Sequence, residues 1–180
     1  MIQNIYSYFE YASLVLTIFF YARYKHLSFY KYFLGYLISS VFFETFPNLY
    51  PTIDKKELFN IYTFFEFNFF ALIYYNLLKE NGNIKVIKIF FIFFNLVYLV
   101  SFFLIELKKY TVILEAIINS IFILIYFKEL LNSERVLNYK RLLPFWISVG
   151  FLIFYLTTIP FFTLFYFDLF YSLSNLYNYM

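Results

Sequence analysis

Charged residues in this sequence are confined to short intervals that separate long apolar segments. Lys, Arg, Asp and Glu make up 14% of the chain and hydrophobic residues 63%, whereas an ordinary soluble domain is about 25% charged. A soluble fold of 180 residues would need more charged surface than this. Each apolar segment is long enough to cross a bilayer as a helix of roughly 20 residues. The sequence therefore predicts an all-α, polytopic transmembrane helix bundle, with residues 1–180 forming a single domain.

Seven membrane spans are predicted from the positions of the charged intervals. They cover residues 2–22, 29–49, 58–78, 86–105, 110–127, 143–162 and 164–180. The first segment lacks the basic start and the small-residue cleavage site of a signal peptide, so we expect it to be retained as a helix. The seventh segment is short and contains Asp168. Six spans followed by an interfacial tail are therefore the alternative.

The distribution of Lys and Arg predicts the orientation, because short cytoplasmic loops retain these residues. The intervals after spans one, three and five hold ten basic residues, and those after spans two and four hold four. The ten are Arg23, Lys25, Lys31, Lys79, Lys85, Lys88, Lys128, Arg135, Lys140 and Arg141, and the four are Lys55, Lys56, Lys108 and Lys109. The N-terminus is therefore predicted to lie outside.

A weak internal repeat relates the two halves of the chain. Span one matches span five at an offset of 105 residues, as in Glu10 and Glu115, and span two matches span six at an offset of 113, as in Pro47 and Pro160. A three-plus-one-plus-three helix plan, as in transporters built from parallel repeats, is one explanation. Chance similarity between apolar helices is the other.

Several chemistries are excluded by residues that the sequence lacks. Cysteine is absent, which excludes disulfides, thiolate nucleophiles and Cys-based metal sites. The one histidine, His26, excludes the HExxH zinc motif and multi-histidine iron sites. The three glycines are isolated, so there is no GxSxG elbow or glycine-rich phosphate loop. We expect no cofactor, no metal and no enzymatic activity, with carboxylate chemistry the one route left to an enzyme. The scattered basic residues also predict no nucleic-acid partner.

Four glutamates lie inside the predicted spans, where ionisable side chains are costly and often functional. A rise of 1.5 Å per residue places each of them roughly 8–12 Å from the outer end of its helix. Polar residues at intervals of three and four accompany them on one face of each of spans one to six. In chain order these stripes are Gln3, Tyr6, Glu10, Ser13 and Thr17; Tyr36, Ser40, Glu44 and Asn48; Asn60, Thr63 and Glu66; Asn95, Tyr98 and Ser101; Thr111, Glu115 and Asn119; and Ser148, Tyr155 and Thr158. We therefore predict an outward-facing acidic polar cavity for a cation, a proton or an amine-bearing ligand. The predicted ligand-binding residues are Glu10, Glu44, Glu66, Glu115, Asn119 and Thr158.

The same polar stripes have a structural interpretation. Protonated glutamates, together with Asn, Ser and Tyr, would hold neighbouring helices together by hydrogen bonds, in place of the small residues that usually allow close packing. A third interpretation is that the polar residues lie in separate parts of the bundle and share no common role. Glu to Gln substitution separates the first two, because Gln keeps the shape and hydrogen-bonding groups of a protonated glutamate but cannot carry its charge.

Two segments carry a resemblance to a protein group. The runs RLLPFWISVGFLIFYLTTIPFF at 141–162 and YKYFLGYLISSVFFETFPNLY at 30–50 resemble small, uncharacterised multi-spanning membrane proteins of Bacteroidetes. The resemblance implies a seven-helix protein of the bacterial cytoplasmic (inner) membrane, whose last helix continues beyond Met180. It implies no activity and no catalytic residues.

The predicted function is that of a non-enzymatic sensory or accessory subunit of a membrane complex. The segment Lys128 to Arg141, the one sizeable polar segment, is predicted to continue helix five along the membrane interface. The partners would be the lipid bilayer and a cytoplasmic protein bound at this segment, and a homo-oligomer is a further option. A small transporter or channel is the alternative. The scarcity of glycine argues against it, because transporters usually build their sites from discontinuous helices.

Overall fold

The computed structural model describes residues 2–50, 55–79 and 84–166, and these residues form helices joined by short connections, with no strand among them. The all-α prediction is confirmed. The helices are α1 (Ile2–Phe19), α2 (Tyr21–Tyr24), α3 (Tyr30–Leu49), α4 (Lys55–Leu78), α5 (Ile84–Ser101), α6 (Ile105–Leu131), a 3₁₀ helix (Glu134–Arg141) and α7 (Leu143–Tyr166).

Six of the predicted spans overlap long helices. The helix α6 extends beyond the predicted span 110–127 at both ends. It begins at Ile105, so the interval predicted at 106–109 lies within the first five residues of the helix rather than in a loop. Lys is a good helix former, and its charge therefore ends an apolar run without ending the helix. Most of the predicted seventh span, residues 167–180, lies outside the described residues.

The segment Lys128 to Arg141 was predicted to continue the preceding helix, and this is wrong beyond residue 131. The helix α6 ends at Leu131, and Ser133 adopts an extended conformation with φ −111° and ψ 154°. The Ser133 hydroxyl donates to the Leu130 carbonyl at 2.8 Å. Asn and Ser compete for backbone hydrogen bonds in this way, which makes Asn132 and Ser133 a natural end for the helix.

Three helices in the described part of the chain are long and apolar enough to cross a membrane. They are α5, the Tyr110–Leu131 part of α6, and the Leu143–Leu164 part of α7. The helices α3 and α4 have comparable length but carry Glu44, Glu66 and several Asn residues, which lower their hydropathy. Large apolar side chains are also exposed along the helices, for example Phe19 at 75%. The chain is therefore an all-helical protein with three candidate membrane-spanning helices, as a membrane protein would have.

The chain divides into two compact units, Met1–Asn95 and Leu96–Met180. In the first unit α1 packs against α3 and α3 against α4, each pair antiparallel, and α5 contacts α4 through side chains. The Tyr30 hydroxyl donates to the Thr17 carbonyl at 3.0 Å between α1 and α3. Between α3 and α4, the ring centroids of Phe43 and Tyr62 lie 5.6 Å apart. Between α4 and α5, the rings of Phe67 and Phe94 are stacked with their centroids 3.8 Å apart.

The core of the first unit is aromatic. Phe67, Phe70, Tyr74 and Phe94 are fully buried. Gly35 allows α3 to approach α4 closely, because a Cβ atom at this position would lie 2.7 Å from Cε1 of Phe69. The ring edge thus occupies the volume that any larger residue would need.

In the second unit, α6 and α7 form an antiparallel pair. Asn119 contacts Tyr155, and nearer the other end of the pair the Phe127 ring lies 5.6 Å from that of Phe145. The 3₁₀ helix packs against both. The indole nitrogen of Trp146 donates to the Lys140 carbonyl at 3.1 Å and joins this segment to the start of α7.

Candidate functional site

Two carboxyl groups meet where α1 packs against α3. The side chain of Glu10 is hydrogen-bonded to the side chains of Glu44 and Ser40. The hydroxyl of Ser7 donates to Oε1 of Glu44. The antiparallel pairing explains the contact, because it brings the first turns of α1 beside the last turns of α3. Two of the predicted ligand-binding residues therefore touch directly.

Glu66 of α4 belongs to the same neighbourhood. Its carboxyl group interacts electrostatically with that of Glu10. The α3–α4 pairing brings this part of α4 beside the last turns of α3, where the ring centroids of Phe43 and Phe65 lie 5.6 Å apart. Glu66 is buried, with 7% of its surface exposed. Three of the four predicted glutamates thus lie near one another in the first unit.

Helical periodicity explains why these polar residues are inside. On α3, Tyr36 and Ser40 precede Glu44 at intervals of four, and both are buried. On α4, Thr63 and Glu66 are buried together on one face. The stripe predicted on α1 consists of Gln3, Tyr6, Glu10, Ser13 and Thr17, and it does not include Ser7. The interval of three between Ser7 and Glu10 was the available indication, since residues at that spacing share a helix face.

The contact between the carboxyl groups of Glu10 and Glu44 constrains the protonation state of the pair. A carboxylate only accepts hydrogen bonds, so a hydrogen bond between two carboxyl groups requires a proton on one of them. The second oxygen of Glu10, Oε2, is buried and has no hydrogen-bond partner. The pair therefore can hold and release a proton, and its free oxygen can accept one further donor. Among the described residues, no three His, Cys, Asp or Glu side chains are arranged to hold a metal ion.

A second polar group lies between α6 and α7. The amide nitrogen of Asn119 donates to Oε1 of Glu115 at 3.4 Å and to the hydroxyl oxygen of Tyr155 at 3.0 Å. The exposed fractions of Glu115, Asn119 and Tyr155 are 3%, 0% and 2%. The interval of four puts Glu115 and Asn119 on the same face of α6. The sequence placed Tyr155 on a polar stripe of this pair but did not name it as a ligand residue.

One buried atom in this second group lacks a partner. The amide oxygen of Asn119, Oδ1, is buried and accepts no hydrogen bond. Assignment of amide oxygen and nitrogen follows from the hydrogen-bond network. Reversing this amide would only replace an orphan oxygen with an orphan NH₂ group. One polar atom of Asn119 therefore has no protein partner in either orientation.

Thr158, the sixth predicted ligand residue, is half-buried on α7. Its hydroxyl donates to the Phe154 carbonyl of its own helix at 2.7 Å. This bond satisfies the hydroxyl within α7, whereas Tyr155 on the same helix reaches across to α6. Tyr155 is therefore the α7 side chain that joins the polar group of the second unit.

Glu129 is a buried acidic residue that the sequence did not single out. It lies in the last turn of α6 with 9% of its surface exposed. The sequence assigned it to the cytoplasmic polar segment because Lys128 precedes it. Its interval of three from Tyr126, which is also buried, was the indication that it faces inward.

Comparison with known proteins adds no relative from which a role could be transferred. No family model, no curated protein and no solved structure matches this chain.

Proposed function

We propose that this chain is a non-enzymatic, multi-pass protein of the bacterial cytoplasmic membrane that serves as a sensory or accessory subunit and binds a proton at the Glu10–Glu44 pair. It has seven spans with the N-terminus outside, so the pair lies in the outer half of the membrane and senses the external side. The hydrogen bond between the two carboxyl groups is the observation that carries the proposal.

A proton explains the contact better than a metal ion or an amine does. Two carboxylates would repel one another at hydrogen-bonding distance in an apolar environment, and a shared proton removes that repulsion. The sequence supplies no Lys or Arg to α1, and those of α3 and α4 lie in the first turn of each helix. A cation or an amine-bearing ligand would have to displace the proton. The spectroscopic experiment below detects such a displacement as loss of the protonated carboxyl band.

The polar segment Lys128 to Arg141 is the proposed contact for a cytoplasmic partner. The 3₁₀ helix exposes Arg135, Lys140 and Arg141, together with the apolar Leu137 at 84%. A basic surface with an exposed leucine suits an acidic protein surface that has an apolar pocket. A homo-oligomer of the chain is a further proposal.

Transport is the alternative function, and one observation favours it. Pro160 lies inside α7, six residues before the helix ends, and proline removes one backbone hydrogen bond from a helix. Transporters usually build their sites where helices are interrupted, and proline favours such interruptions. Against this, α5, α6 and α7 continue without a break in the described residues. Neighbouring genes separate the two functions, because a kinase or effector supports a subunit and a metabolic cluster supports a transporter.

Infrared spectroscopy tests the proton pair. The purified chain in lipid nanodiscs is expected to show the C=O stretching band of a protonated carboxyl group, and this band shifts on exchange into D₂O. Glu44→Gln and Glu10→Gln each remove it, because Gln donates an N–H bond to the remaining carboxylate and no shared proton is needed. Glu134→Gln, at an exposed residue of the 3₁₀ helix, is the matched control and keeps it.

The same spectra contain the outcomes that would replace the proposal. Identical carboxyl bands in the wild type and in both Gln variants would mean that the pair holds no proton. Loss of the wild-type band at constant pH on addition of Na⁺ or methylammonium would mean that the site takes a cation or an amine instead.

A further inference from the structure

We propose that Glu115, Asn119 and Tyr155 form a second ligand site, complete within α6 and α7, that takes a small monovalent cation. This site is independent of the Glu10–Glu44 pair and of the function proposed for it. Its ligand is held by the Asn119 amide oxygen and balanced by the charge of the Glu115 carboxylate.

The unpartnered oxygen of Asn119 is the first reason. Asn119 has no exposed surface, and its Oδ1 atom accepts no hydrogen bond from the protein. A buried acceptor without a partner costs about 1–3 kcal/mol, so such atoms are rare unless something else occupies them. A hard cation or a small donor such as ammonium would satisfy this oxygen.

The orientation of the amide is the second reason. Its nitrogen donates to Glu115 at 3.4 Å and to Tyr155 at 3.0 Å, and these two bonds fix the direction in which Oδ1 points. They also polarise the amide, because hydrogen bonds in a chain strengthen one another in a low-dielectric interior. The site oxygen is therefore both positioned and made a better ligand before any cation arrives.

Charge is the third reason, and it selects a monovalent ion. Glu115 is 3% exposed, and a buried carboxylate requires a compensating positive charge or a proton. One carboxylate with neutral amide and phenol oxygens matches a single positive charge. A divalent ion would leave one charge uncompensated in the membrane interior.

The experiment measures cation-dependent stability of the full chain in lipid nanodiscs. NaCl, KCl and NH₄Cl are each titrated against choline chloride at equal ionic strength, because choline is too large to fit beside a fully buried side chain. At least one of the three cations is expected to raise the midpoint of thermal unfolding in a saturable way, since a ligand that binds only the folded state stabilises it. Choline should give no such rise.

Variants locate the effect. Glu115→Gln keeps the size and hydrogen-bonding groups of the side chain but removes its charge, and it should abolish the saturable rise. Asn119→Ala should shift the half-saturating concentration at least tenfold upward. Ser120→Ala is the matched control on the same helix, because the Ser120 hydroxyl only donates to the Ala116 carbonyl of its own helix, at 2.8 Å. It should keep the full rise.

A further variant separates this site from the first. Glu44→Gln removes the proton pair of the first unit and should keep the cation-dependent rise. The proposal is overturned if the wild type responds to choline as it does to the other cations or responds to none of them, in which case water alone occupies the site. It is equally overturned if Glu115→Gln keeps the rise. Neither of these outcomes depends on Asn119→Ala, so a folding defect in that variant would not rescue the proposal.

Discussion

At the scale of single residues, the two glycines that the structure describes inside helices, Gly35 in α3 and Gly150 in α7, differ in the space available for a side chain. A Cβ atom on Gly35 would meet the Phe69 ring at 2.7 Å, whereas nothing lies within 4 Å of the corresponding position on Gly150. Gly35→Ala should therefore lower the free energy of unfolding by about 1–3 kcal/mol through overpacking. Gly150→Ala should leave it unchanged or raise it by up to about 1 kcal/mol, because alanine favours helix.

Thermal unfolding of the two purified variants in the same detergent gives the comparison. A Gly35→Ala protein as stable as Gly150→Ala would show that α3 and α4 are not in close contact at this residue.

The hydroxyl of Tyr30 gives a second residue-scale prediction. This buried side chain donates to the Thr17 carbonyl at the end of α1, and the bond joins α1 to α3. Tyr30→Phe removes it and should cost about 0.5–1.5 kcal/mol of stability. Tyr21→Phe, at an exposed residue near the same helix end, is the control and should cost nothing measurable. An equal loss in both variants would contradict a specific role for this bond.

The inward-facing polar residues were predictable from periodicity, but their partners were not. The stripes on α3, α4 and α6 correctly indicated that Ser40, Glu66, Glu115 and Asn119 are buried. Which residue meets which depends on how far each helix slides along its neighbour. A shift of one turn would give Glu10 another partner on α3, and an apolar sequence has many such registers of similar energy. The Asn119 contact with Tyr155 was unpredictable for the same reason.

At the scale of helices, Pro160 and Pro47 differ in how far each lies from a helix end. The helix α7 continues for six residues beyond Pro160, whereas α3 ends two residues after Pro47. Proline removes the N–H bond to the residue four positions earlier and crowds its carbonyl. Pro160→Ala should therefore stabilise α7 by up to about 3 kcal/mol, and Pro47→Ala should change stability much less.

Thermal unfolding in nanodiscs without added denaturant measures both, since denaturants perturb the surrounding lipid as well. Pro160→Ala at or below the stability of Pro47→Ala would indicate that the carbonyl freed in α7 has found another partner.

Helix boundaries were predictable to within a few residues where an apolar run meets a polar one. They were not predictable where charge and helix propensity disagree. Lys108 and Lys109 were assigned to a loop, yet they are the fourth and fifth residues of α6. The end of α6 at Leu131 depends on local hydrogen bonding at Ser133 rather than on hydropathy. Hydropathy therefore locates a span, and capping chemistry locates its ends.

At the scale of the whole molecule, orientation in the membrane is the property that the sequence predicts most directly. The prediction depends on the ten basic residues that follow spans one, three and five, compared with four that follow spans two and four. The structure adds that α3, of 20 residues, has the exposed residues Ser28 and Tyr50 just beyond its two ends. At 1.5 Å per residue this helix is about 30 Å long, which matches the hydrocarbon thickness of a bilayer.

The absence of cysteine makes the orientation directly measurable. Ser28→Cys, Tyr50→Cys and Asn138→Cys each introduce one thiol at an exposed residue. In intact cells, a membrane-impermeant maleimide should label Tyr50→Cys alone, and the other two should react only after the membrane is permeabilised. The opposite pattern would reverse the orientation and place the Glu10–Glu44 pair on the cytoplasmic side, where it would sense internal rather than external protons. Equal labelling of Ser28→Cys and Tyr50→Cys in intact cells would show that α3 does not cross the membrane, because its two ends would then lie on the same side.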